Sequence, residues 1–575
     1  MSAVFLLFSS QSSVPVMASS TLSTKESKLS NFSVSNWNSC LIACSVSSKI
    51  NSKDMLVLRM NQSSIKTQLY NLLVELLNLT QRGNNKMFGQ KLKAIPPAQA
   101  HKVGYPIRML RDIPAGEFVQ TPKGNWVLMG GFHPINSTTG PGNTHKTDEI
   151  LYGPMKVLSH IKASSVLVYD TENSLGYKRF EDRKGMFYGL EEFDFVNEQY
   201  QERPRFMLWQ RSQVEGDEFF DAIKEFGKER IKDKKNFITL PHTDPVGNPI
   251  KIPAPCTTVI DSLSAMSSNT IQNNIVEKNA VGESGANTIF MKDGAMKTQM
   301  ITQLPVVTGK YGIGFSMTAH IGNHIQMDPY APKPVTLQFS KNGTKQKGVP
   351  EKFQFINDFV GEIYSARPLL NPSDKAPKYP YSDVDREKGN DLIQITEVSS
   401  RNKNGQSGLT RAMIVSQRDG MLPGLTEFDY IKETCGKNGI SGNNTTFHMD
   451  LYPDCKISRT TIQQKLRADW RLDTAVRLTA ELNQMRQLWK GIDDLMCTPQ
   501  ELYDDIKALG YDWDILLFTR YWWVPLEEEK GQDFNELTIY DLLKMRKGEY
   551  HPYWLEDDKK TIKKAWMPNI DPTAT

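Results

Sequence analysis

An α/β fold with a central, mostly parallel twisted sheet flanked by helices is what the 575-residue sequence predicts, and three observations predict it. Residues 140–147 read GPGNTHKT, a loop of small residues that leads into a helical pattern. A helix's length later, VLVYDTEN runs apolar and then closes on two carboxylates. A further apolar run, PCTTVIDSLSAM at 255–266, places Asp261 at its end. Apolar runs of strand length separated by helical stretches are the pattern of strand–helix–strand units, which build parallel sheets.

Taken in order, residues 1–62 are Ser-rich and nearly free of acids, which predicts a disordered or non-native extension. No basic run precedes VFLLF, so a secretory signal is a poor fit. A Ser-rich, acid-poor leader also resembles an organellar transit peptide, although the first Arg is Arg59, and translation from Met55, Met60 or Met87 would bypass the segment. Residues 63–104 hold SIKTQLYNLLVELLNLTQ (64–81), an amphipathic helix capped by Ser63 or Ser64, and a linker. NWVLMGGFHPI (125–135) predicts the strand before the loop, and EILYGPMKVLSHI a helix broken or bent at Gly153-Pro154. GDEFFDAIKEFGKERIKDK (216–234) predicts an amphipathic helix, and TLPHTDPVGNPIKIPAPC (239–256) an inserted hairpin or loop. After 435 a Gly/Asn-rich linker leads to helical residues 460–490 and an aromatic-rich end, so 436–575 is expected to be a helical, aromatic-rich region. There Trp522, Trp523, Tyr553 and Trp554 form a small core, which their density favours, or stack on bases.

Gly140, Pro141, Gly142, Asn143, Thr144 and His145 form a loop in which backbone N–H groups can turn inward onto phosphate oxygens. Lys146 then reaches the β/γ-phosphates, and Thr147 ligates Mg²⁺ as the helix begins. The GxxxxGK[ST] pattern holds at Gly140, Lys146 and Thr147 and departs at His145, where a second Gly is usual. Asp261, closing a strand, is where such a site places the carboxylate that holds Mg²⁺ through water. A loop, a carboxylate pair and a strand-end Asp in this order point to a nucleotide hydrolase.

Over roughly residues 105–435 the order of these pieces resembles the RecA-type ATPases, most closely the phage recombinases of the UvsX kind, whose loop also begins Gly-Pro and carries a bulky residue before Lys-Ser/Thr. The resemblance implies a RecA-like P-loop core with helical N- and C-terminal additions. YDTE (169–172) resembles the strand end that carries the catalytic Glu, which makes Glu172 the residue orienting the attacking water. Tyr177 and Arg179 resemble a Tyr-x-Arg element of the ATP site, here two residues closer to that Glu. FSMTAHIGN (315–323) resembles the strand that senses the γ-phosphate, with His320 in the sensor place; a core histidine is the structural alternative. EVSSRNKNGQSG (397–408) resembles the hairpin that reaches a neighbouring subunit's nucleotide, through Arg401 and Lys403; a solvated turn suits the composition equally.

A formal charge of +4 is too mild to demand a nucleic-acid partner, so binding would come from local patches. Lys341, Lys345, Lys347 and Lys352 cluster in a Gly-containing stretch with few acids, which by position resembles the second DNA-binding loop of RecA proteins. Residues 269–287 resemble the first, and an ordinary surface loop suits the composition of either. The six cysteines are scattered without CxxC spacing, which suits a reducing compartment, and Cys435, His448 and Cys455 are too irregularly spaced for zinc. The resemblance therefore implies an ATP- and Mg²⁺-using, DNA-dependent ATPase that filaments on single-stranded DNA for pairing and strand exchange with duplex DNA. It further implies a phage-encoded protein of the host cytoplasm, neither secreted nor in a membrane. The alternatives are a DnaB-like hexameric helicase motor, which closes into a ring, and a RecA-like accessory protein that binds nucleotide without turnover.

Overall fold

The computed structural model describes residues 103–267, 286–322, 338–341, 345–382, 391–443 and 445–572, with four short strands nearer the N-terminus. The chain divides into two compact units, Met1–Pro97 and Ala98–Thr575. In the first, Val16–Ser20, Ala3–Ser9, Cys40–Val46 and Val57–Arg59 pair in that order as an antiparallel sheet. These strands fall in the stretch whose composition predicts no fixed structure. The helix predicted over 64–81 lies outside the described residues.

The second unit is built on one sheet. Strands β1 (Ile135–Gly140), β2 (Ser165–Asp170), β3 (Phe206–Gln210), β4 (Cys256–Asp261), β5 (Ile313–Gly322) and β6 (Phe359–Pro368) lie side by side in the order β3-β2-β4-β5-β1-β6, all parallel. Beyond β6, strands β7 (Leu392–Asn402), β8 (Thr410–Ser416) and the short β9 (Gly420–Met421) continue antiparallel. Helix α1 (Lys146–His160) joins β1 to β2, α2 (Gly216–Arg230) precedes β4, and α3 (Ala286–Tyr311) joins β4 to β5. This is the α/β class that the sequence predicts, a mostly parallel central sheet flanked by helices.

Successive residues of a strand face opposite sides, and a parallel sheet is covered on both. On β2, Val166 and Val168 enter the core beneath α1, while Leu167 and Tyr169 enter the core beneath α2 and α3. The strand therefore reads as an unbroken apolar run. β1 does not: its sequence is INSTTG, fully buried, with polar side chains satisfied by neighbours. Ser137 donates to Asn357 at 2.7 Å and Thr139 to the Gly361 carbonyl at 3.2 Å. The apolar run at 125–135 that predicts this strand instead supplies Trp126–Met129 to a separate hairpin with Glu117–Gln120.

α1 runs unbroken through Gly153-Pro154, against the expected break. Gly153 is required there, because a Cβ would stand 2.4 Å from the Phe132 ring. Burial of nearly every α1 side chain outweighs the ~3 kcal/mol that an interior proline costs. The hairpin expected within 239–256 forms from Phe237–Thr243 and Pro249–Pro253. Residues 460–490 are helical as expected and form two helices, because the Asp469 side chain accepts from the Arg471 and Leu472 amides and caps the second.

The chain after 435 shares the second unit with the sheet. α4 (Pro423–Glu433) and α5 (Trp470–Leu488) centre a further core that takes in Trp513 and Trp554. Trp522 and Trp523 belong to the α1 core: His160 stacks on Trp522, with ring centroids 3.9 Å apart, and Tyr105 Oη donates to the Trp523 carbonyl at 3.1 Å. These aromatics are core residues, with Trp523 and Trp554 fully buried. Among the described residues no helix is long and apolar enough to cross a membrane.

Candidate active site

The loop from Gly140 to His145 leaves the carboxyl end of β1, the end at which open α/β sheets hold ligands. Asn143 (φ 56°) and His145 (φ 61°) adopt the left-handed conformation that glycine takes without strain. His145 thus keeps the backbone shape that Gly ordinarily supplies at its place, and its ring gains a use: Nδ1 donates to Asp148 Oδ2 at 2.9 Å. The Pro141 carbonyl accepts from Thr144 Oγ1 at 2.8 Å and from Lys146 Nζ. Burial lowers the Lys146 ammonium from its ordinary value, against the raising influence of Asp261 and Glu172.

Asp261, at the end of β4, accepts from Thr147 Oγ1 at 2.5 Å and from Thr318 Oγ1 at 2.6 Å. Glu172, just past β2, accepts at Oε1 from Ser262 Oγ (2.9 Å) and from His320 Nε2 (2.8 Å). Burial pushes the Glu172 carboxyl up, but these two bonds and the charges of His320 and Lys146 outweigh it, leaving it below its ordinary value. Asp170 is committed elsewhere: its carboxylate accepts from the Glu172 and Leu175 amides at 3.0 and 2.6 Å and so shapes the turn that carries Glu172. Burial is the largest cause holding the Asp170 carboxyl above its ordinary value. Lys146, Thr147, Glu172, Asp261 and His320, from four separate segments, are thus brought together through direct contacts and mutual charge.

The first turn of α1 carries two acids, Asp148 and Glu149, which would repel a phosphate at this helix end unless neutralised. Asp148 is met by His145, by Arg179 Nη2 at 2.8 Å and by Arg183. Burial opposes its ionisation, yet these partners hold its carboxyl well below the usual range. Glu149 is met by Arg411 at 2.8 Å, which also binds Glu397. Sequence reasoning missed Arg183 and Arg411, which no local pattern marks, and also Ser262 and Thr318, which hold the Glu172 and Asp261 carboxylates. Arg179 therefore supports the loop through Asp148, and Tyr177 donates its hydroxyl to Gln199 at 2.7 Å.

Arg401 and Lys403 lie elsewhere. Arg401 pairs with Val360 and Val360 with Ser137, so both sit toward the amino end of β1, away from the loop. Arg401 lies over the Phe355 ring at 6.0 Å, and Lys403 Nζ donates to the Ile356 carbonyl at 2.7 Å. Lys341, Lys347 and Lys352 are exposed, and Lys345 begins a two-residue strand paired with Gly322 at the end of β5. The Lys347 amide donates to the His320 carbonyl at 2.8 Å, which joins the basic segment to the strand bearing His320. Residues 268–285, most of the other loop expected to meet DNA, lie outside the described residues.

No family model matches the chain, and no curated protein does. Among solved structures, a RadB recombinase aligns with 51% of this chain and 92% of its own, at 16% identity and a TM-score of 0.26.

Proposed function

We propose that the protein is a RecA-type, DNA-dependent ATPase of the recombinase kind, akin to the UvsX-like proteins, that assembles on single-stranded DNA for homologous pairing and strand exchange. The observation that supports this is that Glu172, His320 and Ser262 form one hydrogen-bonded group and Thr147, Asp261 and Thr318 another, the two joined at the neighbouring residues Asp261 and Ser262. Lys146 exchanges the Pro141 carbonyl for a phosphate oxygen, so its charge is neutralised by substrate without moving the helix. Glu172 orients the attacking water and takes its proton, and His320 reports γ-phosphate occupancy to Glu172 through their shared hydrogen bond.

The all-oxygen set of the Thr147 hydroxyl and the Asp261 carboxylate suits a hard divalent cation and would hold Mg²⁺ with the phosphates. Mg²⁺ supplies charge neutralisation for the phosphate oxygens when bound. Lys341, Lys345, Lys347 and Lys352 are assigned to the DNA backbone, and the bond from Lys347 to His320 supports a link between that contact and the hydrolytic pair. Arg401 and Lys403, away from their own chain's loop, are assigned to a neighbouring subunit's nucleotide, as head-to-tail assembly requires.

Electron microscopy with single-stranded DNA and ATP, beside a hydrolysis assay, tests the whole. Filaments with DNA-stimulated turnover are expected. Closed rings would favour the helicase motor, and nucleotide binding without turnover the accessory role.

A further inference from the structure

Lys297 is a buried lysine on α3 to which phosphate chemistry assigns no role. Its side chain is 3% exposed, and its ammonium meets three oxygens: the Gly348 carbonyl at 3.1 Å, the Ser264 carbonyl at 3.5 Å and Asp293 Oδ2 at 3.1 Å. An ammonium has three donors, and taking it out of water is costly unless they are used. The two carbonyls belong to segments distant in sequence. Ser264 lies in the turn leaving β4, and Gly348 lies in the basic segment.

Those segments touch directly. Gly348 has φ +66°, and a Cβ there would stand 3.0 Å from the Ser264 carbonyl oxygen. Both also hold the end of β5: the His320 amide donates to Ser264 Oγ at 2.9 Å, and the His320 carbonyl accepts from the Lys347 amide at 2.8 Å. His320 is therefore gripped on its two backbone sides by the segments that Lys297 fastens to each other. Past the joint, Val349 and Phe353 are buried in the α3 core, while Lys341, Lys347 and Lys352 are exposed.

We infer that Lys297 is a positioning residue that makes the basic segment, the turn after β4 and the end of β5 move as one body, so that a polyanion on the exposed lysines shifts His320 relative to Glu172. The inference rests on the function proposed above. Without the ammonium, the segment would answer its ligand alone, and the His320–Glu172 bond would not register it.

The test compares ATP hydrolysis with and without a mixed-sequence single-stranded oligonucleotide for the parent, Lys297→Met and Gly348→Ala. Lys297→Met keeps a stem of four atoms and removes every donor, and Gly348→Ala pries at the same joint from the other side. Unstimulated hydrolysis and oligonucleotide affinity are expected to stay near parental, while stimulation by DNA falls about fivefold or more, the scale of ordinary coupling between sites. Stimulation equal to the parent's in either folded variant overturns the inference, and so does a parallel fall of stimulated and unstimulated rates, which would make the joint merely structural. If Lys297→Met does not fold, Gly348→Ala decides by the same criteria. A parent that hydrolyses ATP without any response to DNA removes the proposed function and this inference with it; a responsive parent beside an equally responsive variant removes the inference alone.

Discussion

His320 Nε2 donates to Glu172 Oε1 across 2.8 Å, and the same oxygen accepts from Ser262 Oγ at 2.9 Å. Three strand ends, those of β2, β4 and β5, are thereby tied to one carboxylate oxygen. Glu172→Gln keeps an acceptor in that place and removes the charge, so ATP should still bind while hydrolysis falls about 10²–10⁴-fold. Complexes with DNA should last longer. Equal loss of binding and hydrolysis would make Glu172 structural.

The same pair sets an acid limit. Burial raises the Glu172 carboxyl, and the bonds from His320 and Ser262 lower it further than burial raises it. The ionised form is therefore kept below the ordinary carboxylate range and is lost only as pH falls through that lowered value. His320→Phe removes one donor, so the acidic limb of the kcat/KM profile should move up in pH. A limb that stays in place would show that the bond does not form in the free enzyme.

Lys146→Ala removes the buried charge facing the phosphates and should cost about 10²–10³-fold in turnover, with weakened nucleotide binding and an unchanged circular-dichroism spectrum. Parental turnover in a folded variant would take the loop out of the site.

Asp148→Asn leaves Arg179 and Arg183 without their shared counter-charge in a partly buried place and should cost ~3–5 kcal/mol in urea unfolding. Because the Asp148 carboxyl is held far below its unfolded value, its stabilisation is complete above the ordinary carboxylate range and is lost only in strong acid. The deficit should therefore be the same across neutral pH. His145→Gly should be mild, since relief of the left-handed backbone, ~1 kcal/mol, offsets removal of the hydrogen bond to Asp148.

Replacing Lys341, Lys345 and Lys347 together with Ala should weaken single-strand binding and flatten its salt dependence by roughly 0.7 for each phosphate no longer neutralised. ATP binding should survive. An unaltered slope would take the segment off the DNA path.

Much of the sheet was legible because parallel strands buried on both faces stay apolar throughout, as VLVYD and CTTVID do. β1 was misplaced by several residues because INSTTG satisfies its polar side chains through Asn357 and Gly361, partners that arrive only once β6 lies alongside. In the site, Lys146, Thr147, Glu172 and Asp261 could be found because each sits at a strand or helix end that a local pattern marks. Arg183 and Arg411 could not, since they approach Asp148 and Glu149 from 35 and 262 residues away and are selected by burial of those acids. Pro154 misled for a related reason: local propensity favours a break, and packing against the sheet decides otherwise.

The fastening of the chain's last quarter to α1 and the segments around it bears on how the molecule can be dissected. Besides Trp523, Glu528 accepts from the Lys162 and Ala163 amides at 2.8 and 2.9 Å, and Asp541 accepts from the Trp126 amide at 2.8 Å. A protease nick in the Gly/Asn-rich stretch after 435 should leave two fragments that co-elute and separate only in denaturant. A chain ended at that stretch would lay bare the apolar surroundings of the C-terminal end of the very helix whose N-terminal end carries Lys146, so aggregation, and not a minimal hydrolase, is what truncation there should yield.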